Sequence, residues 1–113
     1  MQQLLQRSTV KVLKPLGHIN ASNALVFQHD LQESVMSAEY SAVLVDMSAV
    51  ESLDSAGLMA LVSALNAAQQ SSKQFALGQI PPAIRIIFEM TQLDRAFQIV
   101  DDAKAFEDHL LQF

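Results

Sequence analysis

Ser48 to Leu65 reads SAVESLDSAGLMALVSAL, and a change of patterning inside and just before this stretch decides the fold. Val43, Leu44 and Val45 precede it as a continuous β-favouring run, which suits a strand covered on both faces in the middle of a parallel sheet. From Leu58 onward the rhythm changes. Leu58, Leu61, Val62 and Leu65 fall at i, i+3, i+4 and i+7, one face of a helix that begins close to Ser55.

The same alternation continues outward in both directions. Val10 to Leu16, VKVLKPL, opens with period-two alternation and stops at Pro15 and Gly17, so it reads as a strand ending near an edge or a bend. In NASNALVFQHDLQESVM, Asn20 or Ser22 can cap a helix, and Ala24, Phe27, Leu31 and Val35 form its apolar stripe. Downstream, polar QQSSKQ leads to FALGQI, a short buried strand. Pro81 and Pro82 mark a helix start, because proline's fixed φ suits the first turn. Ile84, Ile87 and Phe88 supply that helix's inner face. FQIV reads as a last short strand. DDAKAFEDHLLQF closes the chain as a helix with Phe106, Leu110 and Phe113 on one side and acidic residues in its first turn. Strands alternating with helices predict an α/β domain with a largely parallel sheet and right-handed crossovers.

A chain of 113 residues fits one domain, 1–113, with a single core. Half of it is hydrophobic and only 17% is charged, which argues for a packed globule rather than disorder. The net charge of -5 repels phosphate backbones, so nucleic acid is not an expected partner. The absence of cysteine excludes disulfides, thiolate metal sites and a cysteine nucleophile. MQQLLQRSTVKVLK lacks the order of a signal peptide, and the apolar runs fall far below the ~20 residues that span a bilayer. The expectation is a cytoplasmic protein without membrane insertion.

Ser55 carries the functional question. A serine at a strand-to-helix junction suggests a nucleophile elbow, but that motif is G-x-S-x-G, and Leu53 stands where the first glycine belongs. His18, His29 and His109 are scattered, with no neighbour in sequence marking a base. No His and carboxylate pair sits at metal-ligand spacing, and Gly17, Gly57 and Gly78 form no phosphate-cradling loop. No catalytic residue, metal or cofactor is therefore expected. Asp54 and Ser55 are both good N-cap residues, and only one can be the cap. If Asp54 caps, Ser55 takes the first helical position with its hydroxyl free to face solvent. A phosphate there adds about -1.5 to -2 charge at pH 7, which the helix N-terminus tolerates but an acidic interface does not. The residues alone favour the plain cap.

The flanks extend the pattern into a resemblance. VDMSAVESLDSAGLMALVSAL resembles the signature of STAS domains, specifically the bacterial anti-sigma factor antagonists. LKPLGHINASNALVFQHDL is similar to that family's second strand, turn and first helix, and GQIPPAIRIIFEMTQLDRAFQIVDDAKAFEDHL to its proline-led helix, following turn and closing elements. The likeness covers about 10–110. It implies a mixed or mostly parallel sheet of four to five strands flanked by about four helices, and no enzymatic activity. It implies phosphorylation at Ser55 by a serine kinase of the histidine-kinase-like ATPase type, which doubles as the anti-sigma factor. The unphosphorylated antagonist binds that kinase, phosphorylation releases it, and a metal-dependent serine phosphatase restores it. The implied contact patch is Asp54, Ser55, Ala56, Gly57, Leu58 and Met59, with His18 and Asn20 lining the adjacent turn.

Three positions depart from the family pattern. Asn20 stands where aspartate is common, which removes a negative charge near Ser55. Gln92 replaces a glycine in the Met-Ser/Thr-Gly-Leu turn, which predicts a different backbone path. The segment before Val10 is short and glutamine-rich, which predicts a curtailed first edge strand. Two rivals remain. A non-switching accessory subunit of a membrane transporter or sensory scaffold predicts tolerance of Ser55→Ala. A serine hydrolase predicts labelling of Ser55 by an active-site-directed phosphonate.

Overall fold

The computed structural model describes residues 9–111. Its elements are β1 Val10–Leu13, β2 Gly17–Ile19, α1 Ala24–Met36, β3 Ala42–Asp46, β4 Val50–Leu53, α2 Ser55–Gln70, β5 Gln74–Gly78, α3 Pro82–Met90, a 3-10 turn Leu93–Arg95, β6 Gln98–Val100 and α4 Ala103–Leu110. The first edge strand expected before Val10, and Phe113 of the closing helix, lie outside the described residues.

The main sheet has the order β1-β3-β5-β6, with every pairing parallel. Val12 aligns with Leu44, Leu44 with Ala76, and Ala76 with Gln98. Alternating side chains divide the central strands between two cores, as the period of two requires. Val43, Val45, Phe75 and Leu77 join Leu31, Val35, Leu61, Ile84 and Phe88 on the face covered by α1, α2 and α3. Ala42, Leu44 and Ala76 face α4, where two alanines leave room for Phe106. Ala60, Ala64 and Ala68 form a buried small-residue row on α2. Such a row brings neighbouring backbones close, and α1 and α2 are the most extensively packed helix pair. Phe97 adds a stacked contact with Phe88, ring centroids 5.6 Å apart.

One part of the architecture differs from the expected string of elements. The first strand does not run from Val10 to Leu16: it stops at Leu13, and Gly17, at φ +73°, turns the chain into β2. β2 pairs in parallel with β4, forming a separate two-stranded ribbon. The sequence VESL of β4 buries only its ends, so no alternation marks it. Gln92 also corrects an expectation. It adopts the left-handed conformation, φ +62°, that a glycine takes freely, so the turn keeps a glycine-like path despite its side chain. Among the described residues no helix is long and apolar enough to cross a membrane.

Candidate functional site

The β2–β4 ribbon exists to deliver two chain segments to the start of α2. After β4, Asp54 sits in extended conformation as the N-cap. Its Oδ1 accepts from the N–H groups of Ala56 and Gly57 at 3.0 and 3.1 Å. Its Oδ2 accepts from the Ala21 N–H at 3.2 Å, and its own N–H donates to the Ile19 carbonyl at 3.1 Å. One carboxylate therefore caps α2 and grips the turn that leaves β2. Of the two candidate caps, the structure selects Asp54.

The turn itself is stiffened from within. Asn20 Oδ1 accepts from the backbone and hydroxyl of Ser22, while Asn23 Oδ1 accepts from the Asn20 N–H and Asn23 Nδ2 donates to the His18 carbonyl. Neither Asn20 nor Ser22 caps α1 by its side chain, because the helix starts one turn later, at Ala24, whose N–H donates to the Asn20 carbonyl. The Oδ1 of Asn20 is thus spent on its own turn, beside Asp54.

With Asp54 as cap, Ser55 opens α2. It is exposed, and among the described residues its hydroxyl has no hydrogen-bond partner. Ala56 is half-buried and Met59 is 57% exposed one turn along. Gly57 and Leu58 do not reach the surface. Leu58 joins the core, and a Cβ on Gly57 would stand 2.6 Å from Leu53 Cδ1 and 2.7 Å from Ile19 Cγ2. The close approach that Gly57 permits is to its own fold. Both positions face the sheet for a geometric reason: a packed helix turns every third or fourth residue inward.

His18 gains partners that the sequence hides. Its Nδ1 lies 2.7 Å from Ser52 Oγ, 34 positions away, and its Nε2 lies 3.7 Å from Glu51 Oε1. These residues meet because β2 pairs with β4, with His18 aligned on Ser52. All three are exposed, so the cluster ties the ribbon together across its solvent face. No group of three or more His, Asp or Glu among the described residues is placed to hold a metal ion.

The STAS domain family profile matches residues 2–106. A candidate anti-sigma factor antagonist of Thermotoga maritima is 29% identical over 92 residues, 81% of each chain. A crystal structure of a candidate anti-sigma factor antagonist from the same organism superposes with a TM-score of 0.81 at 27% identity, covering 88% of this chain and 86% of that one. The anti-sigma factor antagonist SpoIIAA in its unphosphorylated form superposes with a TM-score of 0.76, covering 99% and 96%, and is also known in a phosphorylated form. At 12% identity that likeness is one of fold.

Proposed function

The chain belongs to the STAS domain family, and we propose that it is an anti-sigma factor antagonist that changes partners through phosphorylation of Ser55. The observation that carries the proposal is the division of labour at the start of α2. Asp54 holds the helix, so the Ser55 hydroxyl is exposed and uncommitted on a rigid element. A hydroxyl in that position is open to a kinase, and modifying it breaks no bond of the fold.

Phosphate on Ser55 sits at the positive end of the α2 dipole, which favours an anion, so the domain stays folded. Its effect falls on whatever rests over Ser55. Beside Asp54, a second and larger negative charge turns a complementary contact into a repulsive one, which costs an interface several kcal/mol. SpoIIAA, which shares the fold, exists in both unphosphorylated and phosphorylated forms. The partner in this reading is an anti-sigma factor that is also a serine kinase of the histidine-kinase-like ATPase type. A metal-dependent serine phosphatase restores the binding form. The protein acts by occupying its partner and performs no catalysis of its own.

The test is site mapping. Incubation with that kinase and ATP, followed by peptide mass spectrometry, is expected to place phosphate on Ser55 and nowhere in Ser55→Ala. Phosphate on another residue, or transfer to Ser55→Ala, overturns the assignment.

A further inference from the structure

The pairing of β2 with β4 skips a residue: Gly17 aligns with Val50, and His18 with Ser52. The irregularity leaves Glu51 between the two registers, and Glu51 and Ser52 both turn outward beside one imidazole. Ser52 Oγ lies 2.7 Å from His18 Nδ1, and Glu51 Oε1 lies 3.7 Å from His18 Nε2. A hydroxyl, an imidazole and a carboxylate thus stand in series, in the order of a nucleophile, its base and the group that orients the base. The carboxylate favours the tautomer with its proton on Nε2, which leaves Nδ1 to accept from the Ser52 hydroxyl.

We propose that Ser52 is a modification site separate from Ser55: a hydroxyl, activated by His18, that takes an acyl group from an activated ester or thioester. Ser52 Oγ attacks the carbonyl carbon of the donor, and its proton passes to His18 Nδ1. The bond from that carbon to the donor's oxygen or sulfur breaks, and the alcohol or thiol leaves as its anion. The product is a serine ester, and the imidazolium, with Glu51 facing its Nε2–H, returns its proton to the leaving group or to water. Glu51 also selects the chemistry of the donor. Directly before Ser52, its charge opposes a polyanionic phosphoryl donor but not a neutral carbonyl carbon. All three side chains are exposed, so water rather than an enclosed pair of donors meets the developing oxyanion, and the outcome is one acylation without turnover. None of these contacts depends on the partner proposed for Ser55.

Ser55 supplies an internal control. It is exposed, it too follows a carboxylate, and among the described residues its hydroxyl has no hydrogen-bond partner. The full chain is treated with p-nitrophenyl acetate, and acetylation of each serine is followed in time by peptide mass spectrometry. Ser52 is expected to be acetylated about tenfold or more faster than Ser55, the low end of what a positioned base contributes because this one is exposed to water. His18→Gln keeps a hydrogen-bonding side chain but no base. In that variant the Ser52 rate is expected to fall to that of Ser55, with the Ser55 rate and the Tm staying near the wild type because His18 is exposed. Ser52 acetylated no faster than Ser55 in the wild type, a comparison that needs no variant, overturns the proposal, and the cluster is then only a tie across the ribbon. An undiminished Ser52 rate in folded His18→Gln overturns it as well, since the hydroxyl then reacts without its base.

Discussion

Replacing Asp54 by alanine separates the two candidate caps by their energies. The carboxylate accepts two α2 N–H groups through Oδ1 and the Ala21 N–H through Oδ2. Loss of an N-cap side chain costs about 1 kcal/mol. The bond to Ala21, exposed but to a charged acceptor, adds about 0.5–1 kcal/mol. The sum is about 1.5–2 kcal/mol. With an unfolding entropy of about 2.1 cal/mol/K per residue, a domain of 113 residues loses about 6–8 °C in Tm. Asp54→Asn keeps a neutral acceptor and is expected to lose about half as much. Ser55→Ala removes a hydroxyl that has no partner among the described residues and is expected to shift stability by no more than about 0.5 kcal/mol. Thermal and urea unfolding of the unphosphorylated proteins measure all three, with an unchanged urea m-value showing that only stability has moved. A Ser55→Ala loss equal to that of Asp54→Ala shows instead that Ser55 shares in holding the helix and is not free for modification.

Other substitutions test the frame around the site. Gly57→Ala gains helix propensity of up to about 1 kcal/mol but drives a methyl into Leu53 and into the branched, stiff Ile19; a net loss of about 1–2 kcal/mol is expected in urea unfolding, and a gain in stability contradicts the packing. Ser72 follows α2 at φ +57°, with the Lys73 N–H donating to the Ala68 carbonyl and the Ser72 N–H to Gln69, a left-handed helix stop. Ser72→Gly and Gln92→Gly are each expected to stabilise by about 0.5–1 kcal/mol, read as a rise in Tm, and a fall in either contradicts the assigned backbone. Lys73 donates from Nζ to the carbonyls of Ser37 and Tyr40, tying the α1–β3 connection to the start of β5; Lys73→Met is expected to cost about 1–2 kcal/mol in urea unfolding, and an unchanged midpoint shows the tie to be idle.

The elements with strong periodicity were legible in the residues themselves. Ala24, Phe27, Leu31 and Val35 fixed the inner face of α1, and Val43 to Val45 marked a doubly covered strand. Among the described residues, the strands of the main sheet and the α helices follow from apolar runs and stripes of this kind and from Pro81, Pro82 and Gly17 as boundaries. The β2–β4 ribbon was not legible, because GHI and VESL carry no apolar run or alternation, and VESL turns two adjacent residues outward. That omission hid the pairing of His18 with Ser52 and Glu51, which depends on register and not on spacing. Asp54 and Ser55 stood out as alternative caps, yet only the fold distinguishes them. Asp54 Oδ1 takes the N–H groups of Ala56 and Gly57, and its Oδ2 takes that of Ala21, more than thirty residues away in sequence. Leu58 and Met59 were indistinguishable as neighbours in a helix; the packing of α2 sends the first inward and the second to solvent.

In the proposed switch, one phosphate on Ser55 decides whether this surface binds a kinase. The most direct measurement is the affinity of the purified chain for that kinase before and after phosphorylation, with occupancy of Ser55 verified by intact mass and peptide mapping. The phosphorylated chain is expected to bind about a hundredfold more weakly or not at all, with its Tm unchanged or slightly raised. Equal affinity of the two forms contradicts it, and Ser55 is then no more than the first residue of a helix that Asp54 caps.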